Sequence, residues 1–547
     1  MHPNTYQKLG FDEILAYVEK GVQSDEAKAA VREIKPLLDP EAIDLELQKV
    51  EEFKHILDFG DSFPANFYIS ASPLLRKLEL GGNWLNLKEA YSMLSWLRTI
   101  HDTRNYLHKR KETYPILDEM VNRAVFDPGL IRVIADVFDE RGNLKDNATP
   151  ELKSIRKQLV SSGNELRTTL QRILRKANEE NWSTDKEITF RNDRLVIPVK
   201  AEAKNKISGF VQDISQTGNT VFIEPAEALT LNNKLRELQI REQNEIIKIL
   251  QILSGQIAEK LPELMQFRSI MVEMDIIRVK ARLAVVLNAT KPVVEPKGKL
   301  LEVRKGYYPL LLLKAQESEM EVVPLSVTMN NNQRIMIISG PNAGGKSVSL
   351  KTLGLLQLML QAGFLIPVEE DSVFRLFDSI YLDIGDEQSV ANDLSTYTSH
   401  LYQMRIMGDN MGRDSLFLID EFGSGTDPRQ GGAIAEAFLE RFVRQGAYGV
   451  ITTHYGNLKE YAEKTKGVYN GAMEFDMAEL KPTYKLIEGM PGRSYAFEMA
   501  QRVGVHYSIL RNARKKVGED EIEAENLLKE LEKKKKELSI ITSKNKR

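Results

Sequence analysis

Apolar residues recur at helical spacing through much of the first 150 positions. The first such segment carries four apolar side chains on one helical face, Phe11, Ile14, Leu15 and Val18. Similar periodic segments lie around residues 41–58 and 87–106. Because apolar residues three and four positions apart line one side of an α-helix, we predict a helical core domain over residues 1–150.

A longer apolar stripe follows, and its period then changes. Over residues 151–181 the apolar positions form one narrow line with few helix breakers, Leu152, Ile155, Leu159, Leu166, Leu170 and Ile173. Residues 187–225 are instead strand-like, with turn signals between the apolar segments. Helical periodicity returns over 226–288, with an interruption near Pro262. The pattern predicts that residues 151–299 form long lever helices around a small β tip at 187–225.

The rest of the chain divides into an α/β part and a charged end. From residue 300 to about 518, apolar strands alternate with helical segments, which is typical of an α/β domain. Residues 519–547 are mostly charged, with a short heptad stripe of Ala524, Leu528, Leu531 and Leu538. A solvated helix and the start of a coiled coil both explain this stripe. The predicted fold class is multidomain, α plus α/β.

Length, composition and charge constrain the class of protein further. The 547 residues are too many for a single core, and 42% hydrophobic with 28% charged residues is typical of a globular protein. A net charge of −3 requires any basic surface to be local. The chain has no cysteine, no apolar stretch long enough to cross a bilayer and no signal-peptide pattern. We therefore expect a cytoplasmic protein without a membrane partner.

A glycine-rich run connects an apolar strand-like segment, Ile335–Ile338, to a helical segment. The run consists of Gly340, Pro341, Asn342, Ala343, Gly344, Gly345, Lys346 and Ser347. A strand, a glycine-rich loop and a helix form the context of a phosphate-binding loop, whose backbone N–H groups surround phosphate oxygens. In such a loop Lys346 neutralises the terminal phosphates and Ser347 binds Mg²⁺. The pattern predicts ATP and Mg²⁺ as cofactors.

A second motif strengthens this prediction. The apolar segment Leu416–Ile419 ends in two carboxylates, Asp420 and Glu421, which is the form of a Walker B element. Asp420 stands where a carboxylate belongs to the Mg²⁺ shell, and Glu421 is placed to deprotonate an attacking water. Together the two motifs predict an ATPase.

Further motifs between residues 300 and 518 closely resemble those of the MutS family, a branch of the ABC-type ATPases. They are the loop form Gly-Pro-Asn-x-Gly-Gly-Lys-Ser and the segments Ile384–Ser389, Leu394–His400, Phe422–Pro428 and Gly449–Tyr455. Over residues 1–300, Val196–Glu202 and Gly218–Pro225 are similar to the second bacterial MutS paralogue. That paralogue lacks the mismatch-reading domains and usually carries a C-terminal Smr nuclease domain. We expect no Smr domain, and hence no nuclease activity, in this chain.

The resemblance implies roles for five more residues. Ser395 and Thr396 would complete the nucleotide site of a partner subunit, or would simply cap a helix. His454 would sense the γ-phosphate and couple it to Glu421, or would be a core histidine. Asp427 would lie at the subunit interface, or would only start a helix. The loosest assignment is Gln388, at the metal or the water. The family mechanism requires a homodimer with composite sites.

The resemblance leaves two functions open. The first is a clamp that closes on branched or recombination-intermediate DNA under ATP control and suppresses homologous recombination. The second is an ATP-driven sensor of collided ribosomes that binds rRNA and splits the subunits. Five cations of the β tip are candidate phosphate contacts in either case, or ordinary solvated charges: Arg191, Arg194, Lys200, Lys204 and Lys206.

Overall fold

The structure is a computed structural model of the chain. It describes residues 5–60, 62–64, 70–296, 298–318, 320–341, 344–385, 396–476, 481–492 and 496–517. The predicted charged helix over 519–547 lies outside these residues, as do Asn342, Ala343, Gln388 and Ser395. Among the described residues, no helix combines the length and the apolar character needed to cross a bilayer.

The chain forms two compact units, each assembled from separate segments. Unit 1 contains residues 1–63, 110–120 and 272–547, and unit 2 contains residues 64–109 and 121–271. The first 150 residues are therefore shared between the units, which differs from the linear division predicted above. The physical reason is that contacts between residues far apart in sequence, which carry no local periodic signal, decide which segments pack together.

The N-terminal third of the chain is helical. Its helices are α1 (Thr5–Leu9), α2 (Phe11–Gly21), α3 (Asp25–Arg32), α4 (Pro40–Phe59), α5 (Ser72–Glu79), α6 (Leu87–His108), α7 (Pro115–Asn122), α8 (Gly129–Val137) and α9 (Pro150–Glu179). Local chemistry fixes several of their ends. Asn86 and Glu89 form a reciprocal capping box at the start of α6, with the Glu89 N–H donating to Asn86 Oδ1 at 2.9 Å.

A small antiparallel sheet follows α9 in unit 2. Its strands are β1 (Thr189–Arg191), β2 (Arg194–Lys200), β3 (Gly209–Ile214) and β4 (Thr220–Pro225), in the order β1-β2-β4-β3. Two long helices come next, α10 (Ala226–Ala258) and α11 (Leu261–Val286). The sheet shares one apolar core with α9 and the start of α10, which includes Leu166, Leu170, Leu174, Ile197, Val199, Val221, Ile223 and Ala228.

One fully buried carboxylate connects the sheet to α10. Glu224 on β4 is 0% exposed and forms an ion pair with Arg194 on β2. Its Oε1 also accepts from Asn232 Nδ2 at 2.9 Å, and its Oε2 accepts from Gln212 Nε2 at 2.7 Å. Both carboxylate oxygens are therefore satisfied by side chains from three other elements, β2, β3 and α10.

The remaining elements form a sheet flanked by helices in unit 1. They are β5 (Val293–Glu295), β6 (Leu300–Gly306), α12 (Pro309–Ala315), β7 (Leu325–Asn330), β8 (Gln333–Ser339), α13 (Lys346–Gln361), β9 (Val373–Arg375), β10 (Ser379–Asp383), α14 (Thr396–Asn410), β11 (Ser415–Ile419), α15 (Pro428–Gln445), β12 (Tyr448–Thr452), α16 (Gly456–Lys464), β13 (Gly467–Asp476), β14 (Lys481–Glu488), α17 (Ala496–Arg502) and α18 (Tyr507–Val517).

The sheet order places the carboxyl ends of four parallel strands side by side. Strands β10, β11, β12 and β8 are consecutive and parallel, and β13 pairs in parallel with the other side of β8. The strand β12 therefore lies between β8, which leads into the glycine-rich loop, and β11, which leads into the carboxylate pair. Because parallel strands end at the same edge of a sheet, both motifs reach that edge.

The helix α13 is held at its C-terminal end by distant segments of unit 1. The Leu37 N–H donates to Gln361 O at 2.8 Å, and Gln361 Nε2 donates to Leu37 O at 3.0 Å. The ammonium group of the buried Lys280, on α11, donates to Ala362 O at 2.8 Å. A cation at a helix C-terminus satisfies carbonyls that have no intrahelical partner.

Candidate nucleotide-binding site

The glycine-rich loop has the backbone geometry of an anion cradle. Gly340 and Gly345 have φ of 144° and 91°, values that side-chain-bearing residues rarely adopt. A Cβ at Gly344 would lie 3.2 Å from Pro341 Cγ, closer than an ordinary van der Waals contact, so a side chain there would crowd the turn. The loop ends at the N-terminus of α13, where backbone N–H groups favour negative charge.

Lys346 lies deep in this cradle beside a histidine from the next strand. Its side chain is 4% exposed, and its Nζ donates to Gly340 O at 2.8 Å. The same Nζ lies 3.2 Å from His454 Nε2, at the end of β12. Burial lowers the pKa of Lys346 to about 8, although the carboxylates Asp420 and Glu421 oppose this shift. Burial first, and then the charges of Lys346 and Lys459, lower the pKa of His454.

The Walker B residues Asp420 and Glu421 are both bound by a threonine whose role the sequence did not indicate. Thr452, buried at the end of β12, donates its hydroxyl to Asp420 Oδ1 and accepts the Glu421 N–H at 2.8 Å. Glu421 itself has φ of 50°, in the left-handed region, which costs about 1–3 kcal/mol for a residue with a side chain. A threonine ending the strand next to the Walker B strand is the signal that could have identified it.

A further contact that the sequence did not indicate joins His400 to Asp383, one strand further along the carboxyl edge of the sheet. His400 Nδ1 is 2.8 Å from Asp383 Oδ2, and both side chains are largely buried. Asp383 ends β10 and also accepts the Asp420 N–H through its carbonyl at 2.8 Å. His400 lies in the first turns of α14, which begins at Thr396, so the pair holds this helix against the Walker B edge.

Asp427 caps the N-terminus of helix α15 in unit 1. Its Oδ1 accepts the N–H groups of Arg429 and Gln430, each at 3.1 Å, as the N-cap of α15. The helix start that the sequence allowed for is therefore observed, and a role at a subunit interface stays a prediction. Ser395 is outside the described residues, and Thr396 is placed only as the first residue of α14.

A mostly apolar cavity adjoins the loop in unit 1. Its volume is about 610 Å³, and its walls include Val322, Val323 and Pro324, together with Tyr484 and the loop residues Gly345 to Ser349. A pocket of several hundred Å³ with apolar walls and a few polar groups is typical of a small-molecule site. It offers space for the base and sugar of a nucleotide whose phosphates occupy the cradle.

The residues present fit a nucleotide with Mg²⁺. The glycine-rich loop ends at a helix N-terminus, which favours phosphate. The hydroxyl of the exposed Ser347 and the Asp420 carboxylate are hard oxygen donors suited to Mg²⁺. These two residues would hold the ion. The apolar cavity beside the glycine-rich loop offers space for the base and sugar of the nucleotide.

The five basic residues of the β tip divide into two groups. Three have partners inside unit 2: Arg191 with Asp213, Arg194 with Glu224, and Lys200 with Asn181. Lys204 and Lys206 are exposed on the short 3-10 segment Ala201–Lys206. The fold brings the buried Glu224 carboxylate to Arg194, and phosphate contacts by the five residues stay a prediction.

Comparison with known proteins places this site in a family. Residues 336–521 match the family model for MutS domain V. A protein named endonuclease MutS2 from Alkaliphilus oremlandii (strain OhILAs) is 35% identical over 538 residues, covering 97% of this chain and 67% of that protein. Proteins of the same name from Thermomicrobium roseum and Geobacillus sp. (strain WCH70) are each 36% identical, and the chain covers 67% and 68% of their lengths. The chain belongs to the MutS family, in the branch of the MutS2 proteins.

Proposed function

We propose that the chain is a dimeric ATPase that closes on branched or recombination-intermediate DNA and thereby suppresses homologous recombination. The observation that carries the ATPase part is the meeting of three strand ends at one edge. Lys346 follows β8, Glu421 follows β11 and His454 follows β12. These are the groups needed to neutralise phosphates, to activate water and to sense the terminal phosphate.

Glu421 is the group that we assign to water activation. Its backbone N–H donates to the Thr452 hydroxyl oxygen at 2.8 Å, which holds its main chain at the end of the Walker B strand. A positioned general base contributes about 10²–10⁴-fold to a rate. Lys346 holds the phosphates by charge, and the hydroxyl and carboxylate of Ser347 and Asp420 hold Mg²⁺, which neutralises the developing negative charge when bound.

The nucleic-acid part rests on unit 2 and on the relatives. MutS-family proteins act as DNA-binding dimers, and the relatives carry the name endonuclease, which denotes an enzyme that acts on nucleic acid. In unit 2, the short 3-10 segment between β2 and β3 presents the exposed cations Lys204 and Lys206. Such cations support contacts with phosphates that do not depend on sequence.

The decisive experiment is to identify what the ATP-bound protein retains. Glu421→Gln protein, purified with ATP, should hold nucleotide without turnover and should capture four-way junction DNA in preference to linear duplex. The matched control is Lys346→Ala/Glu421→Gln, which should capture neither because it lacks the phosphate-binding charge. Retention of ribosomal subunits without DNA would instead favour a ribosome-splitting ATPase. Turnover by Glu421→Gln at the wild-type rate would remove Glu421 from the proposed chemistry.

A further inference from the structure

Unit 2 contains a groove that the nucleotide site does not use. It lies between helix α9 and the segment that leads into β1, and its volume is about 710 Å³. This is within the usual range of small-molecule sites, roughly 300–1,000 Å³. The groove is therefore large enough to receive a group the size of a nucleotide.

Two arginines in the groove differ from the other arginines around them. Of the eight arginines between Pro150 and Ala258, six form ion pairs, namely Arg156, Arg172, Arg191, Arg194, Arg236 and Arg241. Arg167 and Arg175 form none within this fully described stretch, and both line the groove. They are eight residues apart on α9, so they lie on the same side of the helix.

The charge of the groove is positive on balance. Lys186 joins the two arginines at its rim, and Glu179 and Glu187 are the acidic residues there. Three cations therefore face two carboxylates. Because a guanidinium stays charged at every physiological pH and suits phosphate oxygens, the excess charge favours a phosphate-bearing ligand.

Three apolar side chains belong to the otherwise polar lining of the groove, and an aromatic ring lies on the same face of the sheet as one of them. Leu174, Ile188 and Leu195 contribute apolar side chains. Phe190 on β1 pairs directly with Leu195 on β2, so both side chains are on the same face of the sheet. The Phe190 ring is 54% exposed. An exposed ring beside apolar side chains is a platform on which a nucleobase can stack.

We propose that this groove binds one unpaired nucleotide of a nucleic-acid strand, with its base on Phe190 and the apolar side chains and its flanking phosphates at Arg167 and Arg175. This inference rests on the proposed nucleic-acid clamp and adds a structural preference to it. In a duplex both faces of each base are covered by neighbouring bases. Only an unpaired nucleotide therefore presents a free face to the ring, and bulges, gaps and branch points contain such nucleotides.

The test compares a labelled duplex with a central bulge and the fully paired duplex of the same length, each as DNA and as RNA. The wild-type chain should bind the bulged duplex more tightly. Arg167→Ala/Arg175→Ala and Phe190→Leu should each reduce this preference about fivefold or more, the scale of losing one stacked base. Arg167→Lys/Arg175→Lys and Phe190→Tyr should retain most of it. All these side chains are exposed, so melting temperatures should not change.

Lys204→Ala/Lys206→Ala is the matched control, since it removes two exposed cations of the same sheet outside the groove. It should weaken binding of both duplexes equally and leave the preference intact. If the groove variants also weaken both duplexes equally, or if polyglutamate competes as well as the bulged strand, the groove is only a charged surface and the inference is wrong. If the wild-type chain binds none of the probes, the proposed clamp itself is wrong. Comparison of the DNA probes with the RNA probes shows which nucleic acid the groove prefers.

Discussion

Lys346 and Glu421 should have separable effects on the nucleotide. We expect Lys346→Ala to abolish tight ATP binding, because it removes the buried cation of the cradle. Glu421→Gln should keep ATP affinity and lower turnover by at least about 10²-fold, because only the base is lost. Equilibrium binding of a fluorescent ATP analogue and single-turnover hydrolysis measure the two effects separately. An equal loss of affinity in both variants would show that Glu421 has a structural role.

His454 should be neutral at pH 7 in the nucleotide-free protein. Burial and two nearby lysine charges lower its pKa below the ordinary value of 6.5. Labelled imidazole resonances, with the His454→Gln variant to assign the signal, should show a titration midpoint below 6.5. Because the native state then binds fewer protons than the unfolded chain, the contribution of this residue to the free energy of unfolding decreases as pH falls through 6.5.

Lys346→Met supplies the internal check on that assignment. This substitution removes one of the two positive charges near His454, so the titration midpoint of His454 should rise. Burial is the largest cause of the lowered pKa, so the midpoint should stay below the ordinary value of 6.5. A midpoint at or above 6.5 in the unmodified protein would contradict the electrostatic picture of the site.

Residues with local signatures could be predicted, and residues that meet only in the fold could not. The glycine-rich loop and the Asp420–Glu421 pair each lie within one short segment whose own chemistry dictates the turn. Thr452, Asp383 and His400 come from other strands and helices. Thr452 and His400 lie within family motifs, but their contacts with the Walker B edge depend on the strand order. Strand order, which long-range packing determines, was needed to place them.

At the scale of elements, Glu224 should hold the small sheet to α10. Glu224→Ala leaves Arg194 and Asn232 without their shared carboxylate in a buried position. Because the Arg194 side chain is 29% exposed, we expect a loss below the ~3–5 kcal/mol that breaking a fully buried ion pair costs. We expect faster hydrogen exchange at the backbone amides of β2 and β4. Glu202→Ala, which changes an exposed carboxylate near the same sheet, should leave exchange unchanged; identical profiles for the two variants would argue against this role.

The long helices show what periodicity can and cannot predict. The stripe over 151–181 corresponds to α9, Pro150–Glu179, because an uninterrupted apolar line is a strong local signal. The ion-pair partners of the basic residues in the β tip could not be predicted, because the sequence around an arginine does not indicate which carboxylate it will pair with. Arg191 and Arg194 find theirs on strands that the chain forms twenty or more residues later, at Asp213 and Glu224.

At the scale of the whole molecule, the proposed composite site predicts complementation between inactive subunits. Ser395→Ala/Thr396→Ala protein and Lys346→Ala protein should each be inactive alone. Mixed, they should recover activity, because one site of the heterodimer combines an intact loop with an intact signature. Steady-state hydrolysis measures the recovery, and native mass spectrometry confirms that heterodimers form. Heterodimers without recovery would count against a signature that acts in trans.

Contacts in unit 1 between residues far apart in sequence have a consequence for folding during synthesis. Leu37 bonds to Gln361 across 324 residues, and the ring of Phe11 packs edge-on against Phe364 at 6.2 Å between centroids. At about 5–20 residues per second, a ribosome needs roughly 16–65 s to make the intervening chain. During that interval the apolar faces of the first helices have no final partner. A nascent chain stalled before the glycine-rich loop would expose those faces, which makes premature termination there a route to aggregation rather than to a smaller folded protein.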